Sequence, residues 1–308
     1  MAEFDRWFAT EEHCRQYLMR LRWPSGFHCP RCNSPGAWLT ARCLMHCPNC
    51  GYQASLTAGT IFHRTRKPLR LWFQMMWWVT GQKNGASALG LQRILGLGSY
   101  QTAWVWLHKL RRAMVRSGRD RLTGQVEVDE TFVGGVQQGG GRRHLGNKSL
   151  VAVAAEVRGT AIGRSRLQRI EDSSAESLIS FVQKSIEPSS VVVTDGLASY
   201  LGLVAAGFVH RPQVIRGSGQ QADALLPMVH RVTSLLKRWL LGTHQGRVEQ
   251  KHLPYYLDEF TFRFNRRTSR SRGLLCYRLS QQAVSIPAVS YQQLVSASQS
   301  QAQSLAGY

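Results

Sequence analysis

The sequence predicts an α/β protein: a mixed sheet flanked by helices in the C-terminal half, preceded by a zinc ribbon and a helical region of helix-turn-helix type. Three observations predict it. Two C-x2-C knuckles stand close together near the N-terminus. Apolar residues from 60 to 118 recur at helical spacing. Past Thr123 the period shortens to that of strands, which then alternate with helices. At 308 residues the chain has room for about two domains at ~150 residues each.

The first element is a short amphipathic helix from Glu11 to Trp23, with Cys14, Tyr17, Leu18 and Leu21 at helical spacing, ended by Pro24-Ser25-Gly26. The knuckles follow, Cys29-Pro30-Arg31-Cys32 and Cys47-Pro48-Asn49-Cys50, with 14 residues between them. Each turns two thiolates inward, and two such turns close a tetrahedron around Zn²⁺ at ~2.3 Å per bond. Cys29, Cys32, Cys47 and Cys50 are therefore expected to hold a structural zinc with no position left open for water. Cys43 lacks a C-x-x-C partner and is read as packing. A ribbon of this length has too little apolar material to fold by burial alone.

A helix is expected from Pro68 through Trp78, and another after Ser87 with Leu91, Ile94 and Leu95 on its apolar side. Gly96-Leu97-Gly98 makes a turn, and Ser99 is placed to cap a helix from Tyr100 to Met114. Helix, short glycine turn, helix is the pattern whose second helix enters the major groove. That places Tyr100, Gln101 and Thr102 nearest base edges, with Lys109, Arg111 and Arg112 at the basic end. The competing reading is a plain helical hairpin serving as a spacer.

Strands are expected at Gln125–Gly135, Leu150–Val157 and Ala161–Ile170, with a basic glycine loop containing Arg142 and Arg143 between the first two. A helix from Ser174 to Ile186 precedes a β-branched strand, Ser190–Asp195, and a short strand within 207–216. Helices Met228–Leu241 and Leu253–Asn265 complete a mixed sheet with flanking helices. The domain boundaries drawn are an N-terminal helix (1–24), the ribbon (25–58), a helical DNA-binding region (59–119), the sheet domain (120–285) and a Ser/Gln-rich tail (286–308).

Charge narrows the function. The chain carries 39 Lys+Arg against 18 Asp+Glu, a net charge of +21. From His13 to Arg119 there is no acid at all, while that stretch holds 16 Lys+Arg. Surface that only needs solubility mixes both signs. A one-sided surplus points to a polyanion, because bound phosphates release their counterions. No apolar window approaches the ~20 residues that span a bilayer, and the N-terminus lacks a signal peptide's basic start and apolar core. The expected location is the cytoplasm, at the nucleoid, where seven cysteines favour metal over disulfides.

Two carboxylates interrupt otherwise apolar strands. Asp129 sits in Val126-Glu127-Val128-Asp129, where alternation puts Glu127 and Asp129 on one face, and Asp195 ends Val191-Val192-Val193-Thr194. An ionised carboxylate at the end of a core strand is costly unless it is paired or metal-bound. A salt bridge accounts for one such acid. Two of them, behind a DNA-binding front end, point to Mg²⁺, which takes one or two carboxylates and fills its other positions with water and phosphate oxygens.

Taken in order, Cys29–Cys50, Val128-Asp129-Glu130-Thr131-Phe132-Val133-Gly134-Gly135, Thr194-Asp195-Gly196, Leu235-Leu236-Lys237-Arg238, Gly242-Thr243-His244 and the run from Tyr256 to Arg267 resemble one family. It is the bacterial insertion-sequence transposases that join a zinc ribbon to a DDE catalytic domain, prokaryotic relatives of the Merlin superfamily. The resemblance runs from about residue 10 to 285. It implies an RNase H-like core, binding of terminal inverted repeats, and DNA cleavage and strand transfer with Mg²⁺ or Mn²⁺. Carried over by position, Asp129 and Asp195 are the first two metal-binding acids.

The third position departs from the pattern. Relatives carry an acid or Asn seven residues before a helical Lys; here that residue is His230, seven before Lys237. The two share a helix face, and Lys237 is expected to contact a phosphate of the transposon end. Imidazole suits Mn²⁺ better than Mg²⁺. Asp223, Glu249 and Glu259 are the other candidates, though none has a Lys seven residues on. Synapsis of two ends implies a homodimer or larger assembly on terminal-repeat and target DNA. Two other readings stand beside this one: a zinc-dependent DNA-binding regulator, and a domesticated transposase without activity. A regulator has no need for acids at core strand ends.

Overall fold

The computed structural model describes residues 2–82, 84–116, 118–134, 148–213, 225–245 and 248–296. They fall into two units: Met1–Arg116 together with Ser269–Ser296, and the intervening Ser117–Thr268.

The first unit begins with α1 (Ala2–Trp7) and α2 (Glu11–Arg22), the latter capped by Thr10, whose hydroxyl accepts from His13 N at 3.2 Å. Glu11 serves a second helix. Its carboxylate accepts from Leu69 N and Arg70 N at 2.7 and 3.0 Å, satisfying the start of α3 (Leu69–Gly81), which Pro68 cannot cap. Between them lies the ribbon, an antiparallel meander of β1 (Trp38–Leu39), β2 (Leu44–His46) and β3 (Gln53–Ser55). Trp72 of α3 stacks on Trp106 with centroids 3.9 Å apart, joining α3 to α5 (Tyr100–Arg112). α4 (Ala88–Ile94) precedes the glycine turn and is capped by Ser87, which accepts from Gly90 N. Ser99 occupies the N-cap position of α5, but its side chain makes no capping bond.

The expected boundary at 285 is corrected by what the last helices touch. α9 (Arg272–Ser285) packs against α3 and α2 of the first unit. Cys276, Leu279, Ser280 and Ala283 line its buried side, with Ser280 Oγ 3.7 Å from Met76 Sδ. The tail is also structured at its start: α10 (Tyr291–Ser296) packs on α5 through the fully buried Leu294. Residues 297–308 lie outside the described residues.

The second unit is built on five strands: β4 (Gln125–Val133), β5 (Ser149–Arg158), β6 (Ala161–Ile170), β7 (Val191–Thr194) and β8 (Val209–Pro212), in the order β6-β5-β4-β7-β8. The first three form an antiparallel meander, while β7 and β8 add in parallel beside β4. Such parallel joins need crossovers. One is α6 (Ala175–Ser185), capped by Ser174, and the other runs through a 3-10 turn at Ala198–Leu203. This is an RNase H-like mixed sheet, and each expected strand and helix of this half is present to within a few residues.

The period of two sorts β4 between two cores. Val126 and Val128 pack with Leu178, Phe181, Val182 and Tyr200. The other face of the sheet packs under α7 (Pro227–His244) and α8 (Leu253–Phe264), through Val153, Val193, Val229, Leu236, Leu257 and Phe260. Glu127 and Asp129 point to this second side.

A buried ion cluster ties the meander. Glu156, 2% exposed, accepts from Arg164 Nη2 at 2.6 Å, from Arg164 N at 2.9 Å and from Thr123 N at 3.2 Å. Burial alone would raise its carboxyl; the Arg164 bonds outweigh burial and hold it below the usual carboxylate value. The ionised form is thus the folded form's partner, so the stabilisation is present at neutral pH and is lost as pH falls through the lowered value. Glu156→Gln is expected to cost about 1.5–3 kcal/mol at pH 7, measured by urea unfolding, with the gap to wild type closing in acid.

Candidate active site and zinc centre

The ribbon's knuckles share one local geometry. In the first, Cys29 O accepts from Asn33 N at 2.8 Å while Cys29 N donates to Ser34 O; in the second, Cys47 O accepts from Gly51 N at 3.1 Å while Cys47 N donates to Tyr52 O. Closing so tight a turn needs a left-handed residue, and Asn33 and Gly51, at φ +57° and +70°, supply it. The result aims all four thiols at one point. Sγ of Cys29, Cys32, Cys47 and Cys50 lie within 4.8 Å of one another, with Cys29–Cys50 and Cys32–Cys47 at 3.6 Å. Tetrahedral zinc with ~2.3 Å bonds sets sulfur atoms about 3.8 Å apart, so the donor set fits a structural zinc. Cys43 stands apart in the β1–β2 turn, at φ +56° and half-exposed. It is a turn residue, and the expectation that it serves packing is corrected.

In the second unit the parallel register places the two aspartates. Val126 lies opposite Val192 and Glu127 opposite Val193; the same offset, continued two residues past that register, brings Asp195, just after the end of β7, close enough for its charge to act on Asp129. Asp195 closes a turn by accepting from Leu197 N at 3.0 Å, with Gly196 left-handed at φ +84°. Burial raises the Asp129 carboxyl, and the Asp195 charge raises it further, against the Glu130 N–H and the His230 ring. Among the described residues no arginine or lysine pairs with either aspartate.

His230, near the start of α7, meets Asp129. Its Nε2 is 3.2 Å from Asp129 Oδ2, both side chains being about one-fifth exposed. Lys237 lies two turns further along the same helix face and is exposed. Of the other candidates for the third position, Glu259 is fully buried and bonded to Arg263 at 2.9 Å. Glu249 is exposed and pairs with Lys251 at 3.1 Å. Asp223 lies outside the described residues.

Two further acids frame the site. Glu127 Oε2 accepts from Met228 N and Val229 N at 2.7 and 2.9 Å. On the opposite face of β4, Glu130 accepts from the Tyr200 hydroxyl at 2.8 Å, its carboxyl raised by burial and by the Asp129 and Asp195 charges beyond what that bond offsets. Alternation had placed Glu127 beside Asp129 without giving it a partner. Nothing in the sequence marks Tyr200.

The expected DNA-contacting residues of α5 divide. Tyr100 and Gln101 are exposed and Thr102 half-buried at the helix start. Lys109 and Arg112 are half-buried, but Arg111 is only 2% exposed. Its guanidinium lies 3.3 Å from His108 Nε2, inside the unit, so its expected contact with DNA is corrected. Arg142 and Arg143 lie outside the described residues.

Residues 121–265 match the family model of the ISXO2-like transposase domain, and residues 9–53 match that of the transposase zinc-ribbon domain. The chain is thus a transposase that carries an ISXO2-like transposase domain behind a transposase zinc ribbon. Among solved structures, this transposase is similar to the Mos1 transposase paired-end complex with the left transposon end, at 13% identity over 77% of this chain and 79% of that chain, TM-score 0.32. It is also similar to the Mos1 strand transfer complex, at 13% identity over 77% and 78%, TM-score 0.31. No curated protein matches it. Among the described residues, no helix of the transposase is long and apolar enough to cross a membrane.

Metal analysis of the purified transposase is expected to give one zinc per chain, lost with Cys47→Ser. Stripping it with a chelator should unfold the ribbon, read as new thiol reactivity at Cys29 and Cys47, both buried in the folded protein.

Proposed function

We propose that the chain binds the terminal inverted repeats of an insertion sequence and catalyses metal-dependent DNA cleavage and strand transfer, with Asp129, Asp195 and His230 at its catalytic centre. The observation that carries this reading is that Asp129 and Asp195 follow the β4–β7 register at neighbouring strands, where among the described residues no lysine or arginine pairs with either and His230 contacts Asp129. Two carboxylates so placed repel each other, and the chemistry of that donor set fits a divalent ion, Mg²⁺ or Mn²⁺.

Phosphodiester chemistry needs such help. Useful rates require acceleration toward ~10¹⁷-fold, whereas a lone general base supplies about 10²–10⁴-fold. When bound, divalent ions activate the attacking water or DNA 3′-hydroxyl and stabilise the departing oxygen. The chain's own residues do the rest. Asp129 and Asp195 hold the charge, and His230 offers a third donor from the helix side. Lys237, exposed on the same helix face, takes a phosphate of the element's end. Tyr100, Gln101 and Thr102, at the exposed start of α5, reach base edges, with the half-buried Lys109 and Arg112 behind them. Joining two ends calls for a dimer or larger assembly on DNA, working in the cytoplasm at the nucleoid.

Asp129→Asn is expected to reduce cleavage of a labelled terminal repeat to background with either metal, while affinity for the repeat, measured by mobility shift, stays as in wild type. Full cleavage by this variant would overturn the assignment. His230→Ala should lower cleavage by about 10- to 100-fold, the usual cost of disturbing a metal site's support, with affinity again unchanged.

A further inference from the structure

Glu127 is an acid that the mechanism above does not use, and it is 5% exposed. It stands two residues before Asp129 on the same side of β4, about 6.8 Å away along an antiparallel-type strand. The start of α7 explains its burial. A helix leaves its first N–H groups without partners, and here the N-cap position is Leu226, which has no side-chain acceptor, while the first turn holds no acid. The missing acceptor comes from the sheet: Glu127 Oε2 takes both Met228 N–H and Val229 N–H. The next residue is His230, whose ring meets Asp129 at 3.2 Å. Strand β4 and helix α7 are thus pinned at two successive points, Glu127 to residues 228 and 229, and Asp129 to 230.

We propose that Glu127 is a positioning residue that fixes the start of α7 against β4 and thereby holds the His230 imidazole over Asp129; this rests on the catalytic centre proposed above. The reach of the side chain is the critical property. The carboxylate must span from the strand to two adjacent amides, so a shorter side chain of the same charge pulls the helix start toward the sheet. A neutral side chain of the same length leaves it in place. A slip of one helical turn moves a residue by about 5.4 Å, well beyond the reach of the His230–Asp129 contact.

The test uses the full-length chain with Glu127→Gln, Glu127→Asp and Asp129→Asn. Three readouts are taken: amide hydrogen exchange over residues 226–232, ¹⁴N modulation in pulsed EPR of bound Mn²⁺, and cleavage kinetics on a terminal-repeat duplex. Glu127→Gln is expected to keep wild-type exchange and ¹⁴N modulation, and a kcat within about threefold of wild type. Glu127→Asp should fold, exchange faster at 228 and 229, lose the ¹⁴N modulation, and drop kcat by about 10-fold or more with KM for DNA unchanged. The reverse order, Asp tolerated and Gln not, would show that charge rather than reach matters and would overturn the proposal. So would wild-type ¹⁴N modulation and kcat in both variants. Asp129→Asn separates the two readings: Mn²⁺ binding that survives this change overturns the catalytic centre itself, whereas its loss beside an unaffected Glu127→Asp overturns the positioning role alone.

Discussion

The parallel pairing of β4 with β7 is the constraint on which the sheet domain and its candidate site depend. These strands are separated by more than fifty residues of chain and meet through a crossover over α6, yet their offset decides where each aspartate stands. Because side chains alternate, a slip of one residue would turn Asp195 to the other face and leave Asp129 without its neighbour. The valines guard against that slip. Val126, Val128 and Val192 are each fully buried toward α6, and exchanging faces would drive Glu127 and Asp129 into that apolar layer. The cost of burying an unpaired carboxylate therefore specifies the register as firmly as the apolar packing does.

Much of this was legible in the residues. A carboxylate inside a β-branched run is conspicuous because burial makes it costly, which is how Asp129 and Asp195 stood out. The knuckles were legible because a CPxC turn has few other uses. The spacing of seven from His230 to Lys237 was legible because both lie on one helix.

What was not legible depends on partners distant in sequence. Glu127 and Asp129 look alike on the strand. Only the helix start about a hundred residues later separates an acid that holds a helix from one that faces a second acid. The charge of Arg111 suggests a surface residue, but its position decides otherwise: it falls on the stripe of Ala103 and Leu107, four residues beyond the latter, and goes inside with them. Helix Arg272–Ser285 gave a weak signal because its buried stripe is made partly of Cys, Ser and Ala, which fit closely against α3 without looking like a core face.

The path of that helix has a consequence for biosynthesis. A nascent chain folds from its N-terminus as it leaves the ribosome, but the first unit here lacks two of its helices until residues past Ser285 have emerged. The sheet domain, encoded in the middle, has every strand available earlier. Translation products that stop short of residue 268 therefore carry an N-terminal unit missing the helices that cover α3 and α5, leaving their apolar sides open to proteases and chaperones.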